Sequence, residues 1–379
     1  MPLQIGNTSI SKIYIGNTDI PKAYLGTVQV FPDACGITDF DFYTAVDLWF
    51  TNQSLAESTY GLIGDWNVSC VTDMTEAFYP NRAGGSATNT FNEDISAWDT
   101  SSVITMRRMF LQATSFNQPL NWDVSSVASM FQMFHTASSF NQPLNWDVSS
   151  VTSMIRMFRG ANAFNQDLSS WDVSSVTQMP YMFYEATSFN QPLTWDTSSV
   201  INMYQMFNYA VSFNSTLTFS DTSSVTNMQG MFRDARSFNQ PLNFDTSSVL
   251  STYQMFHTAI SFNQPLNFDT SSVTSMISMF QEATSFNQPL NWDTSSVINM
   301  KQMFESATSF NSTLTFSDTS IVRDTSYMFE SATSFNQPLN WDVSSVTNIL
   351  GMFAYASSFN QPLNFDTSGI VSTYQMFKY

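Results

Sequence analysis

Residues 286–309 read FNQPLNWDTSSVINMKQMFESATS, and close copies of this unit recur along most of the chain. The Phe-Asn pair that opens the unit occurs twelve times between residues 91 and 360, always 24 or 25 residues apart. A fixed period in this range is the signature of a solenoid, in which each unit buries its apolar side chains against its neighbours. The sequence therefore predicts one elongated body, and it directs the search for function to an extended surface instead of a catalytic pocket.

Each unit is predicted to contain a short strand, a turn and a helix. Pro289 has no N–H group, so we place the paired part of the strand after it, at residues 290–292. The apolar residues of the range 297–307 follow one another at intervals of 3, 3, 1 and 3, which is typical of one face of a helix. Asp293 precedes this range and is predicted to cap the helix. The expected fold class is α/β, a right-handed, leucine-rich-repeat-like solenoid of 24–25-residue strand-turn-helix repeats.

The chain divides into three predicted segments. Residues 1–32 contain two copies of Ile-Gly-Asn-Thr among alternating apolar residues, which predicts short strands and suggests a small β attachment module. Residues 33–65 carry apolar residues at helical spacing and are predicted to form a helical cap over the first repeat, because the open end of a solenoid core needs cover. Residues 66–379 form the repeat solenoid, with about 13 repeats of which the last is incomplete.

Composition excludes some classes of partner. The net charge is −18 with only 12 Lys and Arg residues, so we expect no binding to nucleic acid or to anionic membranes. No run of 18 apolar residues occurs, and we expect no membrane insertion. The first residues, MPLQIGNTSIS, lack the basic and apolar regions of a secretory signal.

The two cysteines, Cys35 and Cys70, are too few for a disulfide framework. Two interpretations stay open for them. They are either two free thiols, or a single disulfide that joins the N-terminal segment to the first repeat.

One aspartate follows the predicted strand in every repeat after the first, which has Asn67 in this position. We predict that each caps the helix after it by accepting N–H groups two or three residues further on. The alternative is a ladder of Ca²⁺ sites, although Ca²⁺ requires six to eight oxygen ligands and this motif is not a known loop for it. No other cofactor is expected. The residues of this aspartate column are Asp99, Asp123, Asp147, Asp172, Asp196, Asp221, Asp245, Asp269, Asp293, Asp318, Asp342 and Asp366.

The two positions before and the two positions after the Met-Phe pair vary from repeat to repeat, while the framework hardly changes. We call these four positions of each repeat the ridge. Tyrosine and arginine are the residue types of interaction hot spots, so the ridge is either a recognition face or a tolerant solvent-facing surface. The candidate binding residues are Arg107, Arg108, Phe131, His135, Arg156, Arg159, Tyr181, Tyr184, Tyr204, Tyr209, Arg233, Tyr253, His257, Tyr327 and Tyr355.

The predicted strand side offers a second candidate surface. It presents uncharged amides and hydroxyls, such as Gln118, Asn121 and Thr194, and is interpreted either as a glycan-binding face or as an ordinary solvated strand. No phosphate-binding loop, nucleophile elbow or zinc-protease motif is present in the sequence. We therefore expect a protein that is not an enzyme.

The repeat FNQPLNWDVSSVTSM, here residues 140–154, resembles the BspA-like bacterial surface-protein repeat of the leucine-rich-repeat superfamily. The resemblance covers about residues 37–379 and includes the entry segments TAVDLWF and YGLIGDWNVSCVTDM. It implies a cell-surface protein that makes contact with a host. The N-terminal IGNT…YIGNT…YLG segment resembles short β-modules of phage tail and virion proteins.

Together the two resemblances imply a non-enzymatic virion protein, a tail fibre or surface appendage, located on the virion or an extracellular surface. Its expected partners are a host cell-surface protein or glycan, bound by the solenoid, and other virion proteins, bound by the N-terminal module. A second copy of the chain is a further candidate partner. The alternatives are a purely structural fibre or capsid-decoration protein and a bacterial cell-surface adhesin.

Overall fold

The computed structural model describes residues 36–80, 89–366 and 368–378, together with the backbone of six short strands near the N-terminus. These strands form three two-stranded antiparallel pairs. The short strands predicted in this segment are therefore present, and their role in attachment stays a prediction. Their bounds are β1 Gln4–Ile5, β2 Thr8–Ser9, β3 Ile13–Ile15, β4 Thr18–Ile20, β5 Ala23–Leu25 and β6 Val28–Phe31.

Two helices, α1 Asp39–Thr51 and α2 Gln53–Tyr60, lie in the segment predicted to be helical, and a 3₁₀ turn follows at Ile63–Asp65. The buried face of α1 includes Phe42 and Trp49, which make edge-to-face contacts with Trp98 and Trp66 of the first repeats. Aromatic burial at the start of the repeat array is what a cap must provide. None of the helices in the described part of the chain has the length and apolar character needed to cross a membrane.

The helix predicted in each repeat is not formed, and residues 91–366 contain no α-helix in the structure. The segment 106–113 shows the actual arrangement, two consecutive β-turns. Each is closed by a hydrogen bond from its fourth residue to its first, at 3.2 and 3.1 Å. The third residues, Arg108 and Gln112, have φ of +55° and +60°, as in type II turns. The same pair of turns recurs along the array, and the predicted strand-turn-helix unit is corrected accordingly.

The remaining N–H groups of these turns explain why a helix is excluded. The N–H of Arg108 donates to the carbonyl oxygen of Phe131 at 2.8 Å, and that of Phe110 donates to Met133 at 2.9 Å, both in the next repeat. A helix would use these groups internally. Each turn therefore shares its backbone hydrogen bonds with the neighbouring repeat, and this sharing joins the repeats into a solenoid. Its right-handed winding stays a prediction.

Four short strands lie in the repeats: β7 Leu193–Trp195, β8 Leu217–Phe219, β9 Leu290–Trp292 and β10 Leu314–Phe316. They form two parallel pairs, β7 with β8 and β9 with β10, in which leucine pairs with leucine. The strand predicted at residues 290–292 is thus confirmed. Each pair joins a Gln-Pro repeat to a following Ser-Thr-Leu-Thr repeat, where threonines replace proline and favour the extended conformation.

The core consists of aromatic rings stacked in register from repeat to repeat. The ring centroid of Phe134 is 5.4 Å from that of Phe110 and 5.7 Å from that of Phe158. A second column runs beside it, and Phe134 lies 4.1 Å from Phe140 of that column. All four of these phenylalanines are fully buried. Because every ring touches both neighbouring repeats, the core is continuous along the array.

A ladder of asparagine side chains runs along one edge of the array. The N–H of Asn141 donates to Oδ1 of Asn117 at 2.8 Å, and the same bond links each Asn of the Phe-Asn pairs to the one before it, from Asn92 to Asn360. These side chains are half-buried or exposed. The Phe-Asn repeat therefore encodes a core ring followed by a hydrogen-bonding link to the preceding repeat.

Cys70 is disulfide-bonded. The interpretation of two free thiols is therefore wrong for Cys70, while Cys35 lies outside the described residues. The bonded state of Cys70 agrees with the alternative interpretation, a single disulfide that joins the N-terminal segment to the first repeat.

Candidate binding site on the turns

The ridge lies on the two turns of each repeat, not on a helix. In the segment 106–113 the residues between the ridge positions, such as Met109 and Phe110, are fully buried, while Arg107 is exposed and Arg108 is half-buried. The Met and Phe positions are buried as the sequence predicts, although the backbone differs, and most ridge positions are exposed or half-buried, while a few, such as Leu111, are buried. The ridge side chains of successive repeats therefore lie next to one another along the outside of the turns.

The first part of the ridge brings two arginines onto one aromatic ring. The guanidinium carbons of Arg107 and Arg108 lie 5.2 and 5.3 Å from the ring centroid of Phe131, in the next repeat. Arginine stacks on such rings through its planar face and keeps its N–H groups at the edge for other partners. This contact orders both side chains at the surface.

Arginine stacks on tyrosine in the same way further along. Arg156 lies 4.8 Å from the ring centroid of Tyr181, and Arg159 lies 4.7 Å from that of Tyr184. The two tyrosines contact each other with centroids 5.8 Å apart. Two arginines of one repeat are thus held by two tyrosines of the next.

More tyrosines extend this arrangement. The ring of Tyr181 is 5.1 Å from that of Tyr204 at an interplanar angle of 86°, and Tyr184 is 6.0 Å from Tyr209. Neighbouring rings therefore present both edges and faces, which is the preferred geometry of aromatic pairs. We call the residues Arg107, Arg108, Phe131, Gln132, His135, Arg156, Arg159, Tyr181, Tyr184, Tyr204 and Tyr209 the Arg/Tyr cluster.

Gln132 links Arg108 to His135 by hydrogen bonds. Arg108 Nε donates to Oε1 of Gln132 at 2.7 Å, and Gln132 Nε2 donates to Nδ1 of His135 at 3.2 Å. Burial, followed by the positive charges of Arg159, Arg156 and Arg108, lowers the pKa of His135 to about 4. The imidazole is therefore neutral at pH 7 and can accept this hydrogen bond. Gln132 was not among the predicted residues, although it occupies a ridge position beside Phe131.

Few carboxylates balance the charge of the cluster. Arg108 pairs with Glu76 at 2.9 Å. Within the part of the chain that the structure describes, no carboxylate lies within 4.0 Å of the guanidinium of Arg107, Arg156 or Arg159. The Nε atoms of Arg156 and Arg159 are also buried without a hydrogen-bond partner. The cluster is consequently a cationic surface on a chain of net charge −18.

The remaining predicted ridge residues lie further along the array. Arg233 donates to Oε1 of Gln254 at 2.8 Å and lies 3.6 Å from Asp234, so its charge is partly balanced. Burial, and then the charge of Arg233, lowers the pKa of His257. Tyr253 and Tyr355 are exposed, and Lys378 lies 5.5 Å from the ring centroid of Tyr355. The structure does not bring Tyr327 or Tyr355 to the Arg/Tyr cluster.

On the second candidate surface the glutamines are engaged by the asparagine ladder, whereas Asn121 and Thr194 are exposed. Nε2 of Gln118 donates to the carbonyl oxygen of Asn92 at 3.0 Å, and Nε2 of Gln142 donates to that of Asn117 at the same distance. These amides serve the links between repeats. The Arg/Tyr cluster is therefore the better candidate for binding.

The aspartate column does not cap helices, because turns follow it. Each of the twelve side chains instead accepts the N–H of the serine two residues further on. Asp123 Oδ1, for example, accepts the N–H of Ser125 at 3.0 Å and its hydroxyl at 2.6 Å. No group of three or more His, Cys, Asp or Glu side chains among the described residues is placed to hold a metal ion. The Ca²⁺ alternative gains no support. The corrected residues are Asp99, Asp123, Asp147, Asp172, Asp196, Asp221, Asp245, Asp269, Asp293, Asp318, Asp342 and Asp366.

We expect the Asp–Ser turn at Asp245 to stabilise the fold less at low pH. Hydrogen bonds from the hydroxyl and then the N–H of Ser247 hold the pKa of Asp245 below its ordinary value. A carboxylate with a lowered folded-state pKa contributes stability above the unfolded pKa of about 4 and loses it as the pH falls through the folded pKa. In Ser247→Ala the pKa of Asp245, measured by NMR titration, should rise, while that of Asp123 stays the same. An unchanged pKa of Asp245 would contradict the assignment.

The repeats match the family model described as "Mycoplasma protein of unknown function, DUF285" in the ranges 44–145, 120–219, 192–291, 214–315 and 290–379. Together these overlapping ranges extend from residue 44 to residue 379, well over half of the chain. No curated protein matches the sequence. No solved structure matches it either.

Proposed function

We propose that this chain, which belongs to the DUF285 family of Mycoplasma proteins of unknown function, is a non-enzymatic surface protein that binds a partner through the Arg/Tyr cluster. The match supports a repeat surface-protein family over residues 44–379. An extracellular location and contact with a host follow from the BspA-like resemblance and belong to the proposal.

The observation that carries the proposal is the distribution of charge. The whole chain has 12 basic residues, and four of them, Arg107, Arg108, Arg156 and Arg159, lie in the Arg/Tyr cluster. Three of these four have no carboxylate partner among the described residues. Ordered arginines beside half-buried aromatic rings are typical of binding hot spots. On a surface that contacts only solvent, nothing would favour the grouping of these four arginines.

The structural alternative, a fibre or decoration protein, has support of its own. The asparagine ladder and the stacked rings run through the whole array, so the body is stiff whatever the ridge binds. The virion interpretation rests on residues 1–32, which lie outside the matched ranges. It gains no support from the family and stays a prediction, as does assembly through the N-terminal module.

Binding of the fluorescently labelled protein to a panel of animal and bacterial cells, with unlabelled protein as competitor, tests the proposal. The double variant Arg156→Ser/Arg159→Ser should lose saturable binding. The matched control Arg236→Ser/Arg323→Ser removes the same charge outside the ridge and should bind normally. Equal binding by both variants would overturn the assignment of the cluster, and absence of saturable binding by the unaltered protein across the panel would favour the structural alternative.

A further inference from the structure

We propose that the Arg/Tyr cluster binds a short acidic saccharide, one that carries carboxylate or sulfate groups. The inference rests on the proposed function and specifies its ligand. The residues that carry it are Arg107, Phe131, Arg156, Arg159, Tyr181 and Tyr184.

The arginines supply the anion-binding part of the site. Their guanidinium carbons lie 5.2, 4.8 and 4.7 Å from the centroids of aromatic rings, and a guanidinium held over a ring can still donate its N–H groups to an oxyanion. The Nε atoms of Arg156 and Arg159 are buried without a hydrogen-bond partner, so an anion would have to bind at the Nη N–H groups of these half-buried side chains. A bound carboxylate or sulfate would be the first anionic partner of either side chain in the described structure.

The spacing of the arginines fits an extended oligomer. Arg107 and Arg108 lie two repeats before Arg156 and Arg159, and the repeats between them are spaced 5.4 and 5.7 Å apart, as measured between the rings of the Phe110 column. An acidic oligosaccharide carries its charged groups on successive or alternate sugar rings, so two of them can face the two arginine groups at once. Two linked contacts bind more tightly than one.

The rest of the cluster suits the uncharged part of a sugar. Pyranose rings pack their apolar faces on aromatic rings, and Tyr181 with Tyr204 offers a face and an edge at 86°. Tyrosine hydroxyls and the half-buried amide of Gln205 can exchange hydrogen bonds with sugar hydroxyls. Gln205 already donates to the hydroxyl of Tyr204 at 3.1 Å, so this surface is polar and ordered.

Other polyanions fit less well. Further along, the ridge carries Glu282, Glu305 and Glu330, and burial, with the negative charges of Glu330 and Glu282, raises the pKa of Glu305. A long nucleic acid or a membrane surface would meet these carboxylates and the overall charge of −18. A peptide binds more tightly where its side chains can contact apolar surface. The apolar side chains of these turns, Met154 and Met157, are fully buried and do not offer such a surface.

Isothermal titration of the full chain with defined probes tests the inference. The probes are a heparin-derived hexasaccharide, a galacturonate hexasaccharide, neutral maltohexaose, a glutamate hexapeptide and a single-stranded oligonucleotide. At least one acidic hexasaccharide should bind saturably at about 0.15 M salt, and maltohexaose should not. Arg156→Ser/Arg159→Ser should weaken the affinity by about tenfold or more, and Arg236→Ser/Arg323→Ser should leave it unchanged.

Failure of both acidic hexasaccharides to bind would overturn the inference, as would equal binding of the peptide or the oligonucleotide, which would show attraction to charge alone. The same hexasaccharides added as competitors in the cell-binding experiment separate this inference from the proposed function. If cell binding depends on Arg156 and Arg159 but no saccharide competes, the proposed function stands and the saccharide is wrong. Competition by an acidic hexasaccharide supports both.

Discussion

Replacing Phe207 with alanine is expected to lower the free energy of unfolding by about 3–5 kcal/mol, the usual cost of truncating a buried phenylalanine. The ring is fully buried. Its centroid lies 5.5 Å from Phe183, 4.2 Å from Phe213 and 5.7 Å from Phe232. The variant therefore leaves a cavity that borders three repeats, and the close stacking on either side limits how far the core can collapse into it.

Position within the array adds a second expected effect. In a solenoid each repeat is stabilised only by its neighbours, so a weakened central interface should let the two halves unfold separately. Urea titration followed by far-UV circular dichroism should show a lower midpoint and a broader or two-step transition. Phe40→Ala is the matched control, because Phe40 in α1 is 89 % exposed, and it should change stability by less than about 0.5 kcal/mol. If Phe207→Ala lowers the free energy of unfolding by less than about 1 kcal/mol, the stacked column does not account for the stability of the core.

The solenoid itself could be predicted because its contacts repeat with the sequence. A ring at position 134 meets rings at positions 110 and 158, and matched residues at a fixed period guarantee such columns. The strand at residues 290–292 was predictable for a local reason, the missing N–H of Pro289. Both predictions depend on chemistry that a short stretch of sequence contains.

The turns could not be told from a helix by apolar spacing. Intervals of 3, 3, 1 and 3 bury the same side chains in a helix and in two consecutive β-turns, and the difference lies in where the N–H groups go. One signal was present in the sequence: glycine at positions 160, 230 and 351, inside the supposed helices, falls on residues with φ of +60° or close to it. Glycine is the residue that adopts this conformation without strain.

The candidate site was predictable in its members more than in its arrangement. Variation among the ridge positions identifies Arg156 and Tyr181, but only the turn backbone places one over the other. The link from Arg108 through Gln132 to His135 depends on side-chain directions that the spacing does not fix. For the aspartate column, the hydrogen bond to the serine two residues further on follows from short-range chemistry and could be predicted. The helix that each aspartate was expected to cap does not form, because the backbone makes turns there.

Gly160→Ala distinguishes the two backbones by the sign of its effect. In a helix interior, alanine is more stable than glycine by about 1 kcal/mol. In the turn, Gly160 has φ of +66°, and an added Cβ would lie 2.9 Å from Cγ2 of Thr136 in the preceding repeat. The left-handed conformation costs about 1–2 kcal/mol and the crowding about 1–3 kcal/mol, so we expect the unfolding free energy to fall by roughly 2–5 kcal/mol.

Gly230→Ala is the matched comparison. Gly230 has φ of +60° in the same kind of turn, and an added Cβ would lie 3.0 Å from Cγ of Gln205, an unbranched side chain that can adjust more easily than the β-branched Thr136. This variant should therefore lose little more than the conformational part, about 1–2 kcal/mol. Urea titration of both variants beside the unaltered protein gives the comparison. A stabilising effect of Gly160→Ala would instead support the helix predicted from the sequence. Equal losses for the two variants would show that Thr136 moves aside, and the contact between neighbouring turns would then be looser than the stacked structure requires.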